Sequence, residues 1–298
     1  GFEAEVSYNK SINKDFGFNV AFNMSAIKNK MTELDGDVSY IGLPTSVIHS
    51  LNFDQEVSRS AIGQPIGSFY AYKEDGLFQS EAEIKSYTNN KGELLQPNAK
   101  PGDIKFVDVN GDGVIDGNDR DYIGNPLPDV TAGLTLGVNF HNFDLSLFFQ
   151  GMFGNDVYDL TRYVGDFYNQ SQYNKNSRVV NAWTPTNTNT DIPRVTMDDP
   201  NNNIRPSSYY VQDASFVRLK NMKIGYSVPQ SILSKIKFNS LYIYAQATNL
   251  FTITGYDGID PEVGLQSYSS DYRNLDMGVD RGIYPLSRTF TFGVNVSF

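Results

Sequence analysis

The chain has 298 residues, enough for one large β domain or two ordinary ones, and its 24 basic and 34 acidic side chains give a formal net charge of -10. That balance argues against nucleic acid or an anionic membrane surface as a partner, and the absence of cysteine excludes a disulfide framework, a thiolate nucleophile and a Cys-based zinc site. Charged residues are 19% and aromatic ones 13%, a pairing that fits a membrane β-barrel with an apolar outer face and a polar lumen, whereas no run approaches the roughly 18 apolar residues of a membrane helix.

Gly1 to Val6 opens in mid-strand with no signal peptide, as expected of a C-terminal part of a longer chain. Period-two alternation predicts a hairpin of Phe2–Lys10 and Phe16–Lys28 over Ser11–Lys14. A weaker strand is expected at Ser46–Ser58, where Val47, Leu51, Phe53 and Val57 share a parity, and another at Ile62–Tyr72. Ser80–Thr88 reads as a short helix with Glu81 and Glu83 near its start.

Asp108 to Asp119 follows with the oxygen spacing of a calcium loop. Asp108, Asn110 and Asp112 stand at alternate positions, Gly113 permits a sharp turn, the Val114 carbonyl comes next, and Asp116 and Asp119 complete the shell. The sequence beyond it alternates as strands where an EF-hand needs a helix, so a Ca²⁺ there braces a loop on a β protein. Asp119 is shorter than the Glu usual at the last position, which weakens bidentate closure. An acidic turn closed by hydrogen bonds without metal is the alternative.

Val130–Phe140 and Phe143–Gly151 form a second hairpin, with His141 and Asn142 as its turn. His49 is the other histidine, far away in sequence, so neither a His-rich metal site nor a Ser/His/Asp triad is expected. Nothing organises a nucleophile or an acid/base pair, and the chain is not expected to be an enzyme. Asn169–Asn203 is an Asn-, Thr-, Asp- and Pro-rich loop around the sole tryptophan, Trp183, whose aromatic and amide groups either bind a polar ligand or pack the loop. Ser215–Val228 is a strand whose apolar parity switches between Leu219 and Met222, which places a bulge near Lys220 or Asn221. Leu241–Leu250 alternates. In Arg288–Phe298, Phe290, Phe292, Val294, Val296 and Phe298 share one face, a lipid face opposite a lumen face, and the aromatic terminus matches the signal read by outer-membrane assembly machinery.

The expected fold is therefore all-β, a membrane antiparallel β-barrel of roughly nine strands here, with residues 1–298 as one barrel portion. Counting back from a periplasmic Phe298, the long segments at about 74–129, 153–212 and 255–285 are extracellular, and the turns at His141-Asn142 and Pro229–Lys237 periplasmic. The strand at Ser46–Ser58 keeps the Ser11–Lys14 turn periplasmic in that count.

The chain resembles the C-terminal barrel region of the SusC/RagA family of TonB-dependent outer-membrane transporters. The resemblance rests on Gly63–Tyr70, Pro101–Gly113, Ile123–Asp129, Phe148–Gly151, Gly154–Tyr158, Ser215–Asn221, Ala245–Phe251 and Tyr284–Phe290. It implies a barrel of twenty-two strands around an N-terminal plug, in the outer membrane of a Gram-negative bacterium. It also implies a SusD-like surface lipoprotein as a lid, import of oligosaccharide or peptide, and energy supplied through TonB. A passive porin or structural subunit of a larger outer-membrane complex is the alternative within the membrane; a soluble calcium-binding adhesin of β-sandwich type leaves the terminal strand unexplained.

Overall fold

A computed structural model of the chain describes residues 1–42, 56–168, 174–236, 238–264, 275 and 277–298. Seven long strands form one antiparallel sheet: β1 (Phe2–Asn13), β2 (Phe16–Ala26), β3 (Val130–Phe140), β4 (Phe143–Phe153), β5 (Phe216–Ser227), β6 (Ser240–Thr248) and β7 (Thr289–Ser297). They lie side by side in chain order, and the short strand Thr252–Thr254 adds to the start of β5.

The register converts alternation along each strand into two faces of the whole sheet, because directly opposed residues point the same way. One row runs Tyr8, Val20, Leu136, Leu147, Met222, Ala247, Phe290 across all seven strands. The neighbouring row one residue along runs Asn9, Asn19, Gly137, Ser146, Lys223, Gln246, Thr291. The first face is apolar and exposed, with Phe292 82% and Phe290 63% accessible; the second is predominantly polar, Phe148 of β4 being an apolar exception.

The polar face also explains glycines that otherwise weaken strands. A Cβ on Gly137 would collide with Asn19, one on Gly225 with Tyr242, and one on Gly293 with Tyr244. Long polar side chains thus lie flat over a bare neighbouring backbone and keep the sheet's inner surface low. The parity switch in β5 is the bulge expected there: Phe148 faces Asn221 while Phe149 faces Leu219, and Lys220 is the extra residue.

One expected strand is placed differently. Ile62–Tyr72 contributes only Ser68–Tyr72, which joins Tyr40–Gly42, Ser58–Ala61 and Arg120–Gly124 in a separate four-stranded sheet. Phe69 and Ala71 are both fully buried, so this segment sits inside protein and does not turn one face to lipid. The strand expected at Ser46–Ser58 falls mainly on residues 43–55, outside the described residues. β2 pairs directly with β3 from Phe16 opposite Phe140 to Ala26 opposite Val130, so the sheet passes from one to the other without Ile62–Tyr72.

All three long connections, 27–129, 154–215 and 249–288, leave the same end of the sheet, and the short ones leave the other. His141 turns the β3–β4 hairpin at φ 53°, as its place in the sequence suggested. The helix Gln230–Ile236 fills the β5–β6 connection.

The long connections pack on one another around a shared core. Phe69 and Phe106 come from the first, Tyr158 and Tyr210 from the second, and Val279 from the third, each fully buried. Burying such side chains contributes about 1.5–3 kcal/mol apiece, which is what holds irregular segments in one arrangement. Trp183 belongs to this core: its Nε1 donates to Gln79 Oε1 at 2.9 Å and its ring covers Gly102, whose φ of +88° and absent Cβ the contact requires. The tryptophan packs the loop. The short helix forms at Glu81–Ser86, capped by Ser80 Oγ accepting from the Glu83 N–H at 3.2 Å. No helix among the described residues is long and apolar enough to cross a membrane.

Candidate functional site: a polar cleft above the polar face

Arg218 joins the packed connections to the sheet on its polar side. It is 2% exposed and opposite Gln150; its Nη2 donates to Asp260 Oδ1 at 2.5 Å, Nη1 to Glu262 Oε2 at 3.1 Å and Nε to Thr252 Oγ1 at 2.8 Å. The bulged Lys220 reaches the same Glu262 at 2.8 Å. Burial pushes the Asp260 carboxyl up, but the Glu262 and Leu286 N–H groups and the Arg218 guanidinium outweigh it and hold the group below its ordinary value.

A cleft of about 530 Å³ opens among the packed connections. Arg162, from the helix Thr161–Gly165, is buried and donates to the Tyr209 carbonyl at 2.8 Å and to Asp257 at 3.0 Å, with Asp159 3.6 Å from its Nε. Arg178 bridges Asp166 at 3.2 Å and Asp191 at 3.3 Å. Asp166 is further held by the Tyr209 hydroxyl at 2.6 Å and by Asn176 Nδ2 at 3.0 Å. Asp159 accepts from Thr161 and from Gln212 Nε2, yet burial still raises its carboxyl above the ordinary value. A second cleft of about 580 Å³ shares Gly258 and Ile259 with the first and reaches Asn249, Tyr284 and Arg288.

Both guanidiniums are pinned by carboxylates, while Asp257 and Asp191 keep 62% and 77% of their side chains accessible. Such walls offer fixed donors and acceptors of both signs, which suits recognition of a polar ligand. Sequence reading missed this cluster: Arg162 and Asp257 are 95 positions apart, and no local spacing marks them.

The acidic loop places its six expected ligands on one tight wrap. Gly111 and Gly113 adopt φ of 73° and 88°, which a side chain would strain. Asp108 accepts from the Gly111 N–H at 2.8 Å and the Gly113 N–H at 2.9 Å; Asn110 accepts from Asp112, and Asp112 from Val114. Asp116 caps the turn Gly117–Asp119, and the fully buried Asp119 takes the Val109 and Asp116 N–H groups at 2.9 and 2.8 Å. Among the described residues no three His, Cys, Asp or Glu side chains converge as a metal-ligating group. The donors are nonetheless all hard oxygens, and each carboxylate oxygen of Asp108 and Asp112 spends one lone pair on an N–H and retains another, a set that fits Ca²⁺.

An antiparallel sheet with one apolar exposed face, one polar face, short turns at one end and long folded connections at the other defines a section of an outer-membrane-type β-barrel wall. No protein-family model matches the chain. Over its whole length it is 37% identical to TonB-dependent receptor P3 of Formosa agariphila, of which it spans 28%. It is 26% identical to TonB-dependent receptor SusC of Bacteroides thetaiotaomicron, again over the whole chain and 26% of that protein. The solved structure of the RagAB peptide transporter superposes with a TM-score of 0.71 at 22% identity, covering 99% of this chain and 28% of that one. The chain belongs to the SusC/RagA family of TonB-dependent receptors, as a section of their barrel. It spans little more than a quarter of the relatives it matches.

Proposed function

We propose that this barrel section serves energy-coupled import of an oligosaccharide or peptide across the outer membrane of a Gram-negative bacterium. The observation that carries the reading is the pair of adjoining polar clefts among the packed connections, the second lined by Arg218 from the polar side of a wall whose other face is built for lipid. The relatives are TonB-dependent receptors, and the RagAB structures are described as a peptide transporter and importer. The packed connections face the cell exterior and the short turns the periplasm, following the general orientation of such barrels. β1 and β7 each leave one backbone edge unpaired among the described residues, which hydrocarbon does not tolerate, so further strands of the full protein close the barrel.

The partners proposed are a SusD-like surface lipoprotein closing over the packed connections, TonB acting through other parts of the protein, and outer-membrane lipid around the apolar face. Asp108, Asn110, Asp112, Val114, Asp116 and Asp119 hold one Ca²⁺ that braces the first long connection; no chemistry passes through it. In the full-length receptor, Arg162→Met or Asp257→Ala should reduce uptake of the cognate nutrient about tenfold or more while surface abundance is kept, as expected for removing a charged hydrogen-bonding group. Unchanged uptake in both would remove the cleft from the pathway.

A further inference from the structure

The second cleft, of about 580 Å³, carries an excess of positive charge. Its Arg218 is already paired: Asp260 Oδ1 and Glu262 Oε2 accept from the two terminal nitrogens, and Glu262 also takes Lys220. The other Asp260 oxygen accepts from the Leu286 N–H at 3.1 Å. Arg288 lines the same cleft, is exposed, and meets no carboxylate among the described residues, in contrast to Arg162, Arg178, Arg194 and Arg218. Three cations thus stand against two carboxylates, in a chain whose formal net charge is -10. The first cleft is balanced, with Arg162 and Arg178 beside Asp159 and Asp257.

An aromatic face lies in the same cleft. Tyr284 is 92% exposed, so its ring and hydroxyl are open to a ligand. Asn249 donates Nδ2 to the Ser287 carbonyl at 3.2 Å and keeps its amide oxygen available. A guanidinium, an aromatic face and an amide oxygen together match a sugar that bears a negative group. The apolar C–H face of the sugar packs on the ring, a hydroxyl donates to the amide, and the anion takes the planar donor fork of the arginine. A peptide main chain is served less well, because it calls for backbone donors and acceptors. Pro261 and Pro285 of this cleft carry no N–H, and the N–H groups of Leu286 and Asn249 are already bonded.

We infer that the second cleft is a subsite for an anionic sugar of the imported ligand: a uronate or a sulfate ester pairs with Arg288 while the sugar ring lies on Tyr284. The inference rests on the import reading above and narrows its ligand to an acidic oligosaccharide. Calorimetric titration of the full-length receptor in detergent tests it with paired probes. Tetragalacturonate is compared with its methyl ester, and a sulfated carrageenan tetrasaccharide with its desulfated form; a tetraglutamate peptide is the remaining arm. The wild type should bind at least one acidic saccharide about tenfold more tightly than its neutral counterpart, the difference expected for one charge-assisted contact. Arg288→Gln should remove that preference, and Tyr284→Ala should weaken the acidic and neutral forms alike. Both side chains are exposed, so neither substitution disturbs packing. A wild type without preference for either acidic form, an Arg288→Gln variant that keeps the preference, or tetraglutamate bound as tightly as the acidic saccharides would overturn the assignment. The titration needs no transport, so failure of the subsite is read separately from failure of import, which the uptake measurements on Arg162→Met and Asp257→Ala score.

Discussion

Arg218, buried and paired with both Asp260 and Glu262, ties the third long connection to the sheet. Replacing it with Met leaves Asp260, 5% exposed, without its cationic partner and held only by the Glu262 and Leu286 N–H groups, and breaking a buried ion pair in this way costs about 3–5 kcal/mol. Limited proteolysis of the 249–288 connection in R218M should show the segment released while β4 and β5 stay protected; equal resistance in wild type and variant would count against the anchoring role. Glu74 is a second sensitive position. Burial, reinforced by Asp191 and opposed by Arg162, raises its carboxyl from 4.5 to about 7. The folded chain therefore holds a proton that the unfolded chain has released between those two values, and the contribution of this group to stability is full below about 4.5 and lost as pH rises to about 7. Glu74→Gln should flatten that part of the pH profile and leave the packed connections more stable than wild type at pH 8; identical melting profiles for the two would show that the carboxyl titrates normally.

Single strands carry the membrane argument. Leu145 and Leu147 of β4 lie in the apolar rows opposite Ile224 and Met222, so an Arg at either position near the bilayer midplane should cost about 2–4 kcal/mol, against little at Ser146 on the other face. Denaturant titration of the detergent- or lipid-reconstituted receptor measures this, and equal costs at 145 and 146 would mean that the faces are not separated. The acidic loop behaves as an element too: if it holds Ca²⁺, chelation should lower the melting temperature of the first connection, and Asp108→Asn should remove the calcium response. These strands were legible in the sequence because a period of two sustained over nine to twelve residues has no other economical reading, and the bulge at Lys220 was visible as a switch of parity. Ile62–Tyr72 misled because alternation reports a strand without saying whether its surroundings are lipid or protein; Phe69 and Ala71 are buried inside the packed connections. The Arg162 cleft was illegible for a different cause, since its groups meet only after two long connections fold together.

At the scale of the whole molecule, the chain is a wall with a cap on one end. The wall specifies itself through register, row by row across seven strands, while the cap is held by aromatic burial and by arginines pinned to carboxylates. Both halves presuppose a membrane on one side of the wall and a lumen on the other. These 298 residues contain no cysteine, so once any cysteine elsewhere in the full-length receptor is replaced, single-cysteine variants in β4 each carry one nitroxide. Scanning residues 143–150 of β4 with oxygen, which concentrates in lipid, and a water-soluble nickel chelate as relaxants tests the two-faced wall directly. The account predicts that 143, 145, 147 and 149 respond to oxygen and that 144, 146, 148 and 150 do not, with the nickel response reversed; a response to either relaxant without that alternation would contradict it.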